Sequence, residues 1–412
     1  MMGVLRHRRF RRLYTAQVVA LVGTGLLTVA LGLLAYDLAG ADAGVVLGTA
    51  LAIKMVAYVA VAPVISALAE KAPRTTLLVS ADAVRAGIAV LLPFVTQTWQ
   101  IYVLIALLQS ASATFTPAFQ SVIPAVLPDE EDYTRGLSLS RLAYDLESLL
   151  SPMLAAALLS VISYHLLFVG TAAGFVASAA LVLTTHLPRL SADRATGPLV
   201  QRITHSARLM LDRPVLRGLL AMNLVVAAAT SLVVVNTVVY VRDRLGGSNT
   251  GVALALGCFG FGSMAVALAT PRALRAGSER RFMMTGCRIL PVALAAAAAI
   301  PLLPPAAGAS LLAMTWIALG AGTSMINTPA ARLLRAQTDP ASRTAVFAAQ
   351  FSLSHACFLL TYPIAGVLGA VAGLPMTAVT LALLGTLAAT TAARAWPVSV
   401  PVRTEAVVSA GR

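Results

Sequence analysis

The stretch LYTAQVVALVGTGLLTVALGLLAY, Leu13–Tyr36, runs for 24 residues without an Asp, Glu, Lys or Arg. A helix of about 20 mostly apolar residues is long enough to cross the hydrocarbon core of a bilayer. The basic run Leu5-Arg6-His7-Arg8-Arg9-Phe10-Arg11-Arg12 precedes it. The apolar segment is too long for a signal peptide and carries no small-residue cleavage site, so it is expected to insert uncleaved as a first span.

Working outward with the same ruler gives twelve candidate spans: 13–36, 44–68, 75–95, 99–122, 136–160, 164–186, 214–240, 248–271, 282–302, 307–330, 344–370 and 375–394. Turn residues separate them, among them Ala72-Pro73-Arg74, Leu127-Pro128-Asp129, Gly246-Gly247-Ser248, Pro304-Pro305 and Gly373-Leu374-Pro375. Composition agrees, because 58% of the 412 residues are hydrophobic and 11% charged. Soluble domains carry about 25% charged residues, so this chain lacks the polar surface to face water all round. The expected class is an all-α integral membrane protein.

A net charge of +14 would suggest nucleic acid in a soluble protein. Here the basic residues sort to one side. With the N-terminus inside, 24 of the 30 Lys and Arg fall in cytoplasmic segments, Arg242 and Arg244 fall outside, and Lys54, Arg85, Arg141 and Arg288 lie within spans. That asymmetry sets the orientation, with both termini cytoplasmic in a bacterial plasma membrane. No nucleic-acid partner is expected. Cys258, Cys287 and Cys357 are far apart and form no CxxC pair, so neither zinc nor a disulfide framework is expected. The two lysines, Lys54 and Lys71, do not follow a glycine, so there is no phosphate-binding GxxxxGK[ST] loop. No cofactor, metal or enzymatic constellation is expected.

The longest cytoplasmic connection divides the chain into a bundle over 1–186, a linker over 187–213, a second bundle over 214–394 and a tail over 395–412. The Leu199–Asp212 part of the linker has the pattern of a short interfacial helix. The halves echo each other. Phe115-Thr116-Pro117-Ala118 matches Asn327-Thr328-Pro329-Ala330, and Ser151-Pro152 follows the first at nearly the spacing at which Tyr362-Pro363 follows the second. Repeats of this kind are typical of transporters that rock two bundles around a central site.

The chain resembles the major facilitator superfamily, in its efflux branch of macrolide and siderophore exporters. The resemblance rests on Phe10-Arg11-Arg12-Leu13-Tyr14-Thr15-Ala16-Gln17, on Ser66-Ala67-Leu68-Ala69-Glu70-Lys71-Ala72-Pro73-Arg74, and on Phe115-Thr116-Pro117-Ala118 with Ile123-Pro124-Ala125-Val126-Leu127-Pro128. It implies two pseudo-symmetric six-helix bundles. It also implies a gating motif at Glu70, Lys71 and Arg74 with Asp82 and Arg85 behind it. Here glutamate and lysine replace the family's G-x-L-A-D-R-x-G-R-R acid and arginine. Spans one, four, seven and ten would then line the cargo path, with Gln17, Thr24, Thr28, Gln109, Ser112, Phe115, Asn223, Asn236, Trp316 and Asn327 as candidate contacts. Helix packing through the same Ser, Thr and Asn residues explains them equally well.

Ionisable residues at membrane depth are costly and mark substrate or proton paths by default. Asp82 and Arg85 are three apart on one face and can neutralise each other, as can Arg141 and Asp145 at a spacing of four. Glu147 lies on the other side of its helix from Arg141 and has no partner there. Lys54, at similar depth, is its expected mate. Proton coupling is therefore assigned to Glu147 or Asp145 with Lys54 and Arg141 nearby, with a structural Lys54–Glu147 pair as the competing reading. His355 and Cys357 point in different directions on one helix and are expected to pack rather than bind a metal. The acidic run Asp129-Glu130-Glu131-Asp132 is expected to be a solvated loop. The resulting expectation is a monomeric, proton-coupled exporter of small amphiphilic compounds. An uptake or metal-ion carrier of the same fold and a non-transporting sensor stand as alternatives.

Overall fold

The computed structural model describes residues 2–58, 73–185, 187, 208, 210–276, 278–338 and 340–396. In chain order the long helices are α1 (Arg8–Ala39), α2 (Ala43–Val56), α3 (Arg74–Leu91), α4 (Thr98–Val126), α5 (Glu130–Leu159) and α6 (His165–Leu183). Then come α7 (Pro214–Val239), α8 (Asn249–Ala276), α9 (Glu279–Ala297), α10 (Pro305–Ala336), α11 (Pro340–Val371) and α12 (Gly373–Ala395). Among the described residues, nine segments are long and apolar enough to cross a membrane. Helices are what hydrocarbon permits, since every backbone N–H and C=O is satisfied within its own segment.

Where the connections are described, short turns between successive helices put alternate ends on opposite faces. The face holding Arg8 is called proximal here and the other distal. α1 packs on α5 and α6, and α3 on α4 and α6, in the first half. In the second half α10 packs on α8 and α9, and α12 on α7 and α9. The turn glycines carry the repeat into the backbone: Gly40 between α1 and α2 (φ 54°) has its counterpart in Gly246 between α7 and α8 (φ 63°). Both adopt the left-handed conformation that costs glycine nothing.

Two antiparallel helix pairs join the halves, α2 with α11 and α5 with α8. At the distal end of the first pair a Cβ on Gly48 would lie 2.7 Å from the Tyr362 carbonyl oxygen, and one on Gly366 would lie 2.5 Å from the Gly44 carbonyl. The helices touch backbone to backbone there. Farther in, the same two helices meet through aromatic rings, so they are spaced more widely toward the proximal face. The second pair closes distally through Thr250, whose hydroxyl donates to the Leu159 carbonyl at 3.3 Å. Arg242 adds a cation–π contact, its guanidinium 5.3 Å from the Tyr36 ring. These contacts seal the two halves at the distal face.

The proximal arginines also serve the helix ends. Arg12 donates to the Thr184 carbonyl at 2.6 Å, and Arg280 to the Trp396 carbonyl at 2.9 Å. Both complete the C-terminal carbonyls of another helix, where positive charge is favoured. The acidic run corrects the sequence reading. Asp129 is the N-cap of α5, accepting from the Asp132 backbone N–H at 3.0 Å, and Glu130 to Asp132 form its first turn. Asp132 in turn meets His7 at 3.1 Å and Arg135 at 3.6 Å. Carboxylates are stabilised at a helix N-terminus, so the segment is structured rather than a solvated loop. Asp37 accepts from the Tyr164 hydroxyl at 2.6 Å. The expected interfacial helix falls largely outside the described residues.

The close approach at Gly366 has a measurable consequence. Gly366→Val forces a side chain against the α2 backbone, and overpacking of this kind costs about 1–3 kcal/mol. It is expected to lower the melting temperature of detergent-solubilised protein by several degrees. Gly87→Ala, where a Cβ meets nothing within 4 Å, is expected to leave it unchanged or raise it.

Candidate functional site

One charged pair of the first half lies on α3, and the rings around it come from neighbouring helices. The Arg85 guanidinium donates to the Asp82 carboxylate, and both side chains are buried. The same guanidinium lies 4.3 Å from the Phe115 ring of α4 and 4.5 Å from the Phe175 ring of α6. A buried charge needs a counterion, and a desolvated guanidinium between two aromatic faces gains cation–π energy as well. The pair therefore ties α3 to α4 and α6. Phe115, a candidate cargo contact by sequence, is committed to this sandwich and stacks on Phe119.

A second group lies where the halves face each other. Glu147 on α5 sits against α1, with its Oε1 2.9 Å from where a Cβ on Gly25 would be. Ser151, one turn on, fills the rest of the space that Gly25 leaves open. Lys54 on α2 lies within the electrostatic field of Glu147, and Glu147 within that of Lys54. Among the described residues the two do not close to a contact ion pair. The Lys54 ammonium is 5.9 Å from the ring centroid of Tyr58, one turn along the same helix.

From the second half α11 completes the group. His355 lies 5.5 Å from the Tyr58 ring and 4.1 Å from Phe351, whose own ring is 6.3 Å from Tyr58. His355 Nδ1–H donates to the Phe351 carbonyl at 2.7 Å, which fixes the ring's orientation. Lys54, Tyr58, Glu147 and His355 are half-buried, and Phe351 is 47% exposed. Tyr58, Phe351 and His355 meet across the two halves, and all five side chains keep part of their surface accessible.

The remaining sequence candidates separate by placement. Gln17 is buried and pairs with Ser140 at 2.7 Å, joining α1 to α5. Thr24 and Thr28 are half-buried and donate to carbonyls one turn back on α1. Gln109 and Asn223 are buried. Asn236 is buried in the seam of α2, α7 and α11, donating to the Ala365 carbonyl at 3.1 Å. Trp316 is fully buried, donates to the Thr237 hydroxyl at 2.8 Å and packs edge-on against Tyr240. Asn327 is exposed. Arg74 begins α3, whereas Glu70 and Lys71 lie outside the described residues. Arg141 and Asp145 belong to α5 by backbone, but their side chains are outside the description. Sequence reasoning missed Tyr58 and Phe351 as site residues and set His355 aside. The available signal was the matched spacing of four, Lys54 near the end of α2 to Tyr58 just beyond it, and Phe351 to His355 on α11.

A separate apolar groove of about 430 Å³ lies beside the α5–α8 seam, lined by Met153, Ala156, Ala253, Gly257, Cys258 and Phe261 among others. It offers no converging charge.

Comparison with known proteins places this geometry. The model of the Major Facilitator Superfamily matches residues 13–302. Macrolide efflux protein A of Streptococcus pyogenes is 24% identical over 187 residues, covering 44% of this chain and 45% of that protein. The match thus spans about half the length of that relative. Among solved structures, a bacterial homologue of the human lysosomal transporter Spinster, inward-facing and unoccupied, superposes with a TM-score of 0.72 at 13% identity, covering 96% of this chain and 99% of that one. The nucleoside transporter NupG gives 0.70 at 14% identity over 94% and 98%. The D-xylose-proton symporter gives 0.68 at 12% over 94% and 98%. These likenesses establish the fold.

The Asp82–Arg85 pair yields a double-mutant test. Removing one partner of a buried ion pair strands the other charge and costs about 3–5 kcal/mol, whereas removing both costs less. Asp82→Ala is expected to destabilise the protein more than Asp82→Ala combined with Arg85→Met, as read from melting temperatures in detergent.

Proposed function

Because the chain belongs to the Major Facilitator Superfamily, we propose that it is a proton-coupled exporter of small amphiphilic compounds that works by alternating access. It is a membrane transporter and not an enzyme. The observation that carries the proposal is Glu147, a carboxylate at membrane depth set against Gly25 of α1 and within the field of Lys54. Local neutrality is strongly favoured in low dielectric, so the carboxylate requires a counter-charge or a proton. A cargo that changes the field around Lys54 and Glu147 then exchanges with a proton at Glu147. Asp145 and Arg141, on the same helix, are retained as further coupling candidates, and Lys54 tunes the carboxylate.

Orientation follows from charge. Arg242 and Arg244 lie at the distal face, while Arg8, Arg9, Arg11, Arg12, Arg280 and Arg281 lie at the proximal one. Basic segments stay on the cytoplasmic side, which makes the proximal face cytoplasmic and the chain a multi-pass protein of the bacterial plasma membrane. The sealed distal seams then correspond to a state closed toward the outside, and transport requires α2–α11 and α5–α8 to part there. The division into bundles at 1–186 and 214–394, with the linker between them and the tail at 395–412, supplies the two rocking bodies. Glu70, Lys71 and Arg74 are retained as the gating motif that the family resemblance implies. Export accords with the similarity to macrolide efflux protein A, and the protein acts as a monomer.

The test is flux in inverted vesicles with and without an imposed pH gradient. The wild type is expected to accumulate an amphiphilic dye such as ethidium when the lumen is acidified. Glu147→Gln is expected to abolish that accumulation while dye still equilibrates down its own gradient. Uphill transport by Glu147→Gln with unchanged pH dependence would remove Glu147 from the mechanism.

A further inference from the structure

Lys54 is placed as a bound cation would be. Its ammonium lies 5.9 Å from the Tyr58 ring centroid, inside the range over which an aromatic face attracts a positive charge. It also lies in the field of the Glu147 carboxylate, whose position against Gly25 is fixed by α1 packing. Two more rings, Phe351 and His355, stand against Tyr58 from the other half. Aromatic faces beside a carboxylate are the chemistry by which proteins recognise organic ammonium ions. In this molecule a residue of its own chain occupies that arrangement.

We propose that Lys54 is a tethered stand-in for the cargo, and that the Tyr58, Phe351, His355 and Glu147 group takes amphiphilic organic cations by displacing the Lys54 ammonium. This rests on the transporter reading above and names the charge class of its substrate. Among the described residues, Arg85, whose field reaches Tyr58, is paired with Asp82. Glu147 can balance one cation at a time, so ligand and Lys54 compete for it. Lys54 has a flexible four-carbon stem and is only half-buried, so its ammonium can swing away from Glu147 when displaced. A cation whose flat apolar groups also cover the three rings gains burial that the slender lysine stem does not supply. The arrangement has a selectivity consequence. An anion is repelled by Glu147 and the ring faces and attracted only by Lys54, whereas a cation is attracted by Glu147 and the rings and opposed only by Lys54.

The sign of the Lys54 effect separates this inference from the alternatives. A lysine that binds cargo directly, or that merely joins two helices, should weaken binding when removed. A competitor should strengthen it. The measurement is equilibrium binding of tetraphenylphosphonium to the purified full-length protein in detergent, with tetraphenylborate as an anion of matched size and shape. Lys54→Gln is expected to tighten tetraphenylphosphonium binding about tenfold, and Lys54→Arg, which keeps the charge, to stay near the wild type. Glu147→Gln is expected to weaken it more than tenfold, and Phe351→Leu severalfold. Should Lys54→Gln fail to give monodisperse protein, Lys54→Met supplies the same comparison. Unchanged or weaker tetraphenylphosphonium binding in the neutral variants would overturn the inference. So would tighter binding of tetraphenylborate than tetraphenylphosphonium by the wild type, or no saturable binding of the cation to any folded form. The assay contains no gradient, so a failure of proton coupling at Glu147 leaves its outcome unaffected.

Discussion

Gly48 comes so close to α11 that a single added carbon would stand 2.7 Å from the Tyr362 carbonyl oxygen. Without a hydrophobic driving force between helices in lipid, association depends on dispersion and polar contacts made at short range, and small residues permit that approach. The remaining arrangement depends on this contact and on its counterpart between α5 and α8. Glycine at the distal end and aromatic rings farther in make α2 and α11 diverge toward the proximal face. Along that stretch Lys54, Tyr58 and His355 keep part of their surface accessible.

The charged residues divide by the work they do. Most of the arginines lie at the proximal ends of helices, where Arg12 and Arg280 additionally supply hydrogen bonds to exposed carbonyls of neighbouring helices. Asp82 and Arg85 neutralise each other, and the two flanking phenylalanines make the guanidinium a brace for three helices. Glu147 and Lys54 differ because they face each other across helices that approach from different directions and retain open surface. A pair of that kind can change partners, whereas the buried pair on α3 cannot do so without stranding a charge.

Much of the architecture was legible in the residues themselves. Apolar length identified helices such as α1 and α7, since the bilayer thickness sets a minimum that few other structures share. The Asp82–Arg85 pairing followed from a spacing of three on one helix, a local relation that requires no knowledge of neighbours. Glu147 was singled out because its own helix offers it no partner. The acidic segment at Asp129 was misread because its spacing also matches an N-cap, and charge alone does not distinguish a cap from a solvated loop. Among the cargo candidates, Gln17, Asn236 and Trp316 are buried and hydrogen-bonded to adjacent helices, a placement that sequence could not specify because a polar side chain on an inner helix can face either a cavity or a neighbour.

By itself, the sequence determined the membrane setting, the helical class, the internal repeat and the sidedness of its charges. Each of these follows from composition or from spacing along one segment. Only the tertiary structure decided which helices touch across the two halves, that the seams are shut at the distal face, and that Tyr58, Phe351 and His355 gather beside Lys54 and Glu147. Residue 58 and residue 355 are brought together by the crossing of α2 and α11, and that crossing is set by glycine contacts near the distal face. Helical periodicity specifies which way a side chain points from its own axis. It does not specify what stands opposite, because that depends on how separate helices pack.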